Sequence, residues 1–133
     1  WYNGRIYSSE MARGLDILEL VPSEHLSANE IAAAKLVWMD EFNPQSQPRV
    51  TWPAAFPVVR SYLDQLVRGN GLAAARTGAI DAALTAAEQQ SGATRKASLT
   101  TLARTVDGDA ANARDAARVR AMAAAIRDLA AAQ

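Results

Sequence analysis

The only histidine in the chain is His25, next to Glu24 and two residues before Ser27. An imidazole ligates metals and moves protons near neutral pH. A zinc centre, however, needs several converging ligands, and the chain has no cysteine and no second histidine. His25 is therefore expected at the surface or at a helix start. Asp40-Glu41 is an acidic pair, but glycoside hydrolysis needs two carboxyls facing each other across a sugar, not side by side in sequence. Asp107-Gly108-Asp109 has the opening of a calcium loop without its remaining ligands or terminal glutamate, so it reads as a turn and a helix cap. Ser8 and Ser9 have no His-Asp companions that suggest a triad, and no Gly-rich phosphate loop occurs. Arg114, Arg118, Arg120 and Arg127 decorate the last predicted helix. They read as a solvated face pairing with Asp115 or Asp128, with an anionic polymer as the lesser alternative. No catalytic, cofactor-binding or metal-ligating residue is assigned, and no cofactor is expected.

Composition bounds the function classes. The 133 residues are half apolar, enough for a modest domain, although much of that content is alanine, which buries little area per residue. Formal charge is zero, divided as −3 over residues 1–50 and +3 over 51–133. Neither half has the concentrated basic face expected of a nucleic-acid binder. Without cysteine there is no disulfide framework, which suits either export or the cytosol. No apolar run is long enough to span a membrane; the most apolar tail, 121–132, is interrupted by Arg127 and Asp128. The aromatics all lie between Trp1 and Tyr62, so two regions with different cores are expected. The chain opens in mid-pattern on Trp1-Tyr2, which predicts a fragment or processed piece of something longer.

The elements follow from periodicity. Asn3-Gly4 is a two-residue hairpin signal, because both positions of a type I′ turn need positive φ. A strand is predicted over 5–9, a turn at Ala12-Arg13-Gly14 and a second strand over 15–20. That second strand carries apolar residues on both faces, as strands packed between neighbouring sheets do. Residues 22–26 suggest one helical turn. Ser27 and Glu30 form a capping box, and the helix that follows is expected to end near Asp40, with Ile31, Lys35 and Trp38 on one stripe. Residues 40–52 read as a polar, extended link, after which Trp52 and Phe56 are expected to bury against the earlier strands.

Proline is welcome in a helix's first turn and costly later, so a short turn at Pro53 and a main helix from Pro57 are predicted. Val59, Tyr62, Leu63 and Leu66 form that helix's apolar face, and Gly69-Asn70-Gly71 ends it. Helices over 72–90, 93–106 and 110–132 complete the chain. Leu72, Ala75, Ala79, Ile80, Ala83, Leu84 and Ala87 are assigned to the inner face of the first of these, and Val119, Met122, Ile126 and Leu129 to that of the last. Short loops between these helices predict an antiparallel bundle.

Gly14-Leu15-Asp16-Ile17-Leu18-Glu19-Leu20 resembles the strand that names the LVIVD-repeat family of secreted or surface β-propeller-like proteins. The run from Trp1 to Lys35, and then FNPQSQPRVTWPAAFPVVRSYLDQL, is similar to the C-terminal end of bacterial members, over about half of the chain. The resemblance concerns architecture, and no motif in it carries catalysis. It implies that residues 1–21 are the last strands of a final blade. Pro57 departs from the pattern, in a segment where relatives run on as helix.

The expected fold class is thus α+β, mostly α: terminal blade strands over 1–21, a capped helix and Pro-containing link over 22–52, and an Ala-rich helical bundle over 53–133. The expected function is a non-enzymatic structural or interaction module that closes a secreted propeller-like protein. Its partners would be the upstream blades, with another protein or a cell-wall polymer as further candidates. The alternatives are an accessory part of a hydrolase or other enzyme whose site lies upstream, and a cell-wall polysaccharide-binding helical module.

Overall fold

Asn3 and Gly4 adopt φ of 46° and 86° and reverse the chain, so that Tyr2 and Arg5 exchange backbone hydrogen bonds of 2.8 and 3.1 Å. The left-handed region is open to glycine and is visited by asparagine, which is why this dipeptide fixes the turn. A computed structural model describes residues 1–133, the side chain of Pro44 excepted. In it strand β1, Ile6–Glu10, pairs antiparallel with β2, Gly14–Leu18, with Tyr7 opposite Ile17 and Ile6 opposite Leu18. Between them Glu10 accepts from the backbone N–H groups of Ala12 and Arg13, and Gly14 takes φ 96°. The fold class is α+β, mostly α, with this two-stranded sheet at the N-terminus and five α-helices after it.

Helix α1, Ala28–Lys35, opens on the capping box: Ser27 Oγ accepts from Glu30 N, and the Glu30 carboxylate accepts from Ser27 N. It ends at Leu36, well before Asp40. The reason lies 36 residues upstream. The Asn3 side-chain amide donates to Met39 O and accepts from Met39 N, both at 2.8 Å, and this draws residues 37–39 out of the helix. Trp38, expected on the helical stripe, is 73% exposed instead. Residues 22–26 form no helical turn. Ser23 and Leu26 exchange two backbone hydrogen bonds, which close a tight loop. The link is irregular apart from a 3₁₀ turn at Pro44–Ser46.

The chain divides into two compact units, Trp1–Pro53 and Ala54–Gln133. In the second, α2 covers Phe56–Arg68, α3 Ala74–Glu88, α4 Gly92–Asp109 and α5 Ala116–Ala131. Each helix packs on the next, and α5 returns to α2, so the four form a closed antiparallel ring. Pro57 sits in the first turn of α2, where a missing N–H costs nothing, and Pro53 starts no helical turn of its own. Phe56 packs on the core of this unit. At the other end of α2, Asn70 at φ 48° lets Gly71 N reach Leu66 O (2.8 Å) and Asn70 N reach Val67 O (3.1 Å), which satisfies two terminal carbonyls.

Two sequence expectations fail in this unit. Ala75 and Ala79 lie outside; the buried stripe of α3 is Thr77, Ile80, Leu84 and Ala87. Asp107-Gly108-Asp109 is not a turn, because α4 runs through it. Leu99, Leu102, Ala103, Val106 and Ala110 continue one buried stripe, and burying them outweighs the roughly 1 kcal/mol that a helical glycine costs. The break falls instead at Ala113, which is extended at ψ 140°, and Asp115 caps α5 by accepting from Arg118 N. Val119, Met122, Ile126 and Leu129 all face the core.

Candidate functional site

The residues singled out for chemistry are not brought together. His25 is exposed and its Nε2 lies 3.4 Å from the exposed Glu24 carboxylate. Asp40 and Glu41 are exposed in the link, where the Asp40 carbonyl accepts from the Tyr2 hydroxyl at 3.0 Å. Ser8 and Ser9 lie on the open ribbon. Among the described residues, no group of three or more His, Cys, Asp or Glu is placed to hold a metal ion.

The charged groups bind helices to one another. Asp109 takes a bidentate pair from Arg76 of α3, with Nε at 3.0 Å and Nη2 at 2.7 Å, which raises the Arg76 pKa through the hydrogen bond and then the charge. Asp107 faces Arg127 at 3.8 Å, and Arg118 pairs with Asp115 at 3.5 Å. Arg60, largely covered, reaches Asp81 and Glu88 at 2.6 Å each and Thr85 Oγ1 at 3.1 Å, so one guanidinium on α2 grips three successive turns of α3. Its pKa is raised, chiefly by the hydrogen bond to Glu88. Arg95 donates to the carbonyls of Ala87 and Glu88 at the end of α3 and to Gln133, and lies 5.9 Å over the Phe56 ring. In the first unit the Glu19 carboxyl is held below its ordinary value by a 2.6 Å hydrogen bond from Lys35, by the Lys35 charge and by Arg5.

Two of the concave features among the described residues stand out by their lining. A groove of about 580 Å³ runs between α3 and α4, walled by Ala79, Ala83, Ala86, Ala97 and Thr101. Gln90 Oε1, at its margin, is buried with no hydrogen-bond partner. The other is an aromatic crevice of about 300 Å³ within the first unit, lined by Trp1, Tyr2, Val37, Phe42, Val50 and Trp52, with Asn3, Ala34 and Met39 completing the wall. It exists because Asn3 and Tyr2 are tied to Met39 and Asp40, which folds the link back over the start of the chain. The Tyr2 and Phe42 rings stack on each other in its wall, with centroids 6.1 Å apart at 24°.

Sequence reading found the front-loaded aromatics but not this crevice, which depends on a side chain hydrogen-bonding to backbone far along the chain. The first unit also has little core of its own. Of the buried apolar side chains among the described residues, only Ile31 and Ala33 belong to it. The ribbon is open on both faces: Leu15 is 62% and Ile17 55% exposed on one, and Leu18 is half exposed on the other. No helix among the described residues is long and apolar enough to cross a membrane. No protein-family profile, no curated protein and no solved structure matches the chain.

Proposed function

We propose that the chain is a non-enzymatic structural and interaction module whose N-terminal ribbon completes a larger β-sheet and whose helical unit forms a self-contained cap. The observation that carries this reading is the contrast between the two units. Tyr7, Leu15, Ile17 and Leu18 stay exposed on the two-stranded ribbon, even with the Tyr2 ring beside Tyr7. The helical unit, by comparison, closes its own core around Leu66, Leu84, Leu99 and Ile126. A two-stranded ribbon alone is marginal in water and gains independent stability from further strands or a hydrophobic cover. β2, apolar on both faces, has the composition of an inner strand.

The resemblance of 14–20 to the LVIVD strand names the source of that cover: preceding propeller-like blades of the same polypeptide, which would be secreted or held at the cell surface. Hydrogen exchange tests it. Amides of Ile6–Glu10 and Gly14–Leu18 should exchange fast in the 133-residue chain and at least a hundredfold slower when preceding repeats are present. Equal rates, or a natural polypeptide without preceding repeats, would remove the proposal.

A further inference from the structure

We propose that the aromatic crevice of the first unit is a binding site for an uncharged aromatic ring. Three observations lead there. The first is enclosure. Its volume of about 300 Å³ stands at the lower end of the range for small-molecule sites, the size class of one or two fused rings.

The second is the chemistry of the wall. The Tyr2 hydroxyl donates to Asp40 O, and both ends of the Asn3 amide are engaged by Met39. No acidic or basic side chain lines the crevice. A charged ligand would therefore shed its water against a wall with no charged side chain to offset the cost. An uncharged ring sheds little.

The third is shape. Tyr2 and Phe42 are stacked, while Trp1 and Trp52 on the wall are 41% and 48% exposed. A ring entering the crevice covers apolar indole surface that is now in water and gains offset or edge contacts with the aromatic wall. The ring can belong to a free small molecule or to an aromatic side chain of a peptide; the chemistry is the same.

The test uses the 133-residue chain and follows the indole N–H signals of its three tryptophans by NMR. The probes are 2-naphthol, its charged counterpart 2-naphthalenesulfonate, and N-acetyltryptophanamide for the peptide source. At least one neutral probe should saturate with a Kd below about 1 mM. It should shift Trp1 and Trp52 and leave Trp38, which is outside the crevice, in place. The sulfonate should bind at least tenfold more weakly. Tighter binding of naphthol points to a free ligand, and tighter binding of the blocked tryptophan to a side chain. Trp52→Ala, and independently Ala34→Leu, which fills the wall, should each weaken binding tenfold or more, with Trp38→Ala within twofold. The Met39 amide signal reports that each variant is folded. The proposal is overturned if neither neutral probe moves Trp1 and Trp52, if the sulfonate binds as well, or if folded Trp52→Ala and Ala34→Leu both bind like the parent.

Discussion

The side chain of Asn3 pairs with the backbone of Met39 as a neighbouring strand would, donating through Nδ2 to the carbonyl and accepting at Oδ1 from the N–H, both at 2.8 Å. One amide therefore does three things. It sets a turn at positive φ, ends α1 and closes the aromatic crevice.

Asn3→Ala removes two hydrogen bonds and places a Cβ residue without a local partner at φ 46°. The first unit should lose about 2–3 kcal/mol. Asn3→Gly tolerates the φ and should recover about 1 kcal/mol of that. In both variants the Met39 amide should exchange fast; continued protection there would show that another group holds it.

Ile126 is fully buried between Met122 and Leu129. Ile126→Ala should cost 2–5 kcal/mol, by the usual range for a buried aliphatic truncation. In a unit as alanine-rich as 54–133 that is most of the available stability. Arg120→Ala, at an exposed position, should be nearly silent. Circular dichroism melts of residues 54–133 and these variants decide the matter. An unfolded parent fragment would show that the helices depend on the first unit.

The two glycines around α3 should behave oppositely. A Cβ on Gly71 would sit 2.8 Å from Leu66 Cδ2 and 3.1 Å from Asp115 Cβ, where α2 ends against the start of α5. Gly71→Ala should destabilise by about 1–3 kcal/mol. A Cβ on Gly78, inside α3, meets nothing within 4 Å, so Gly78→Ala should stabilise by about 0.5–1 kcal/mol. Urea midpoints of the two variants should move in opposite directions.

Glu19 titrates below its ordinary value of 4.5, first because Lys35 hydrogen-bonds it. A carboxyl with a depressed folded-state pKa contributes stability above its unfolded pKa and loses it as pH falls through the folded value. The contribution of the Glu19–Lys35 pair should therefore be intact at pH 6 and fade below about pH 4.5. It should be small, because both side chains are nearly half exposed. Lys35→Met should move the Glu19 carboxyl midpoint upward in an NMR titration; an unchanged midpoint would assign the depression to Arg5 instead.

The features legible in the sequence are those fixed within a few residues. Asn3-Gly4 demands positive φ, Ser27 and Glu30 reach each other across one turn, and Val119, Met122, Ile126 and Leu129 repeat on one helical face. The features that escaped depend on distant partners. Asp107-Gly108-Asp109 has turn composition, yet Arg76, 33 residues before Asp109, holds it in helix while the stripe from Leu99 to Ala110 continues inward. The helical stripe drawn through Trp38 ignored Asn3. Leu66, Ile80 and Leu84 were legible as core residues, but Ala75 and Ala79 were assigned to the wrong side, because alanine marks neither face of a helix by its chemistry. The crevice was legible only as a cluster of aromatics early in the chain.

The closed ring of helices has a consequence for how the unit comes into being. Neighbours α2–α3, α3–α4 and α4–α5 are joined by short connections, so their contacts form as each segment is synthesised. The seam between α2 and α5 alone joins the two ends of the unit, across about sixty residues. Until α5 leaves the ribosome, α2 and α4 lack the helix on which both pack, and the shared core around Val59, Leu66, Leu99 and Val106 is incomplete. A chain stalled or clipped before residue 116 is then not a slightly weakened bundle. It is an open trough of aliphatic side chains, a form that chaperones bind and proteases remove.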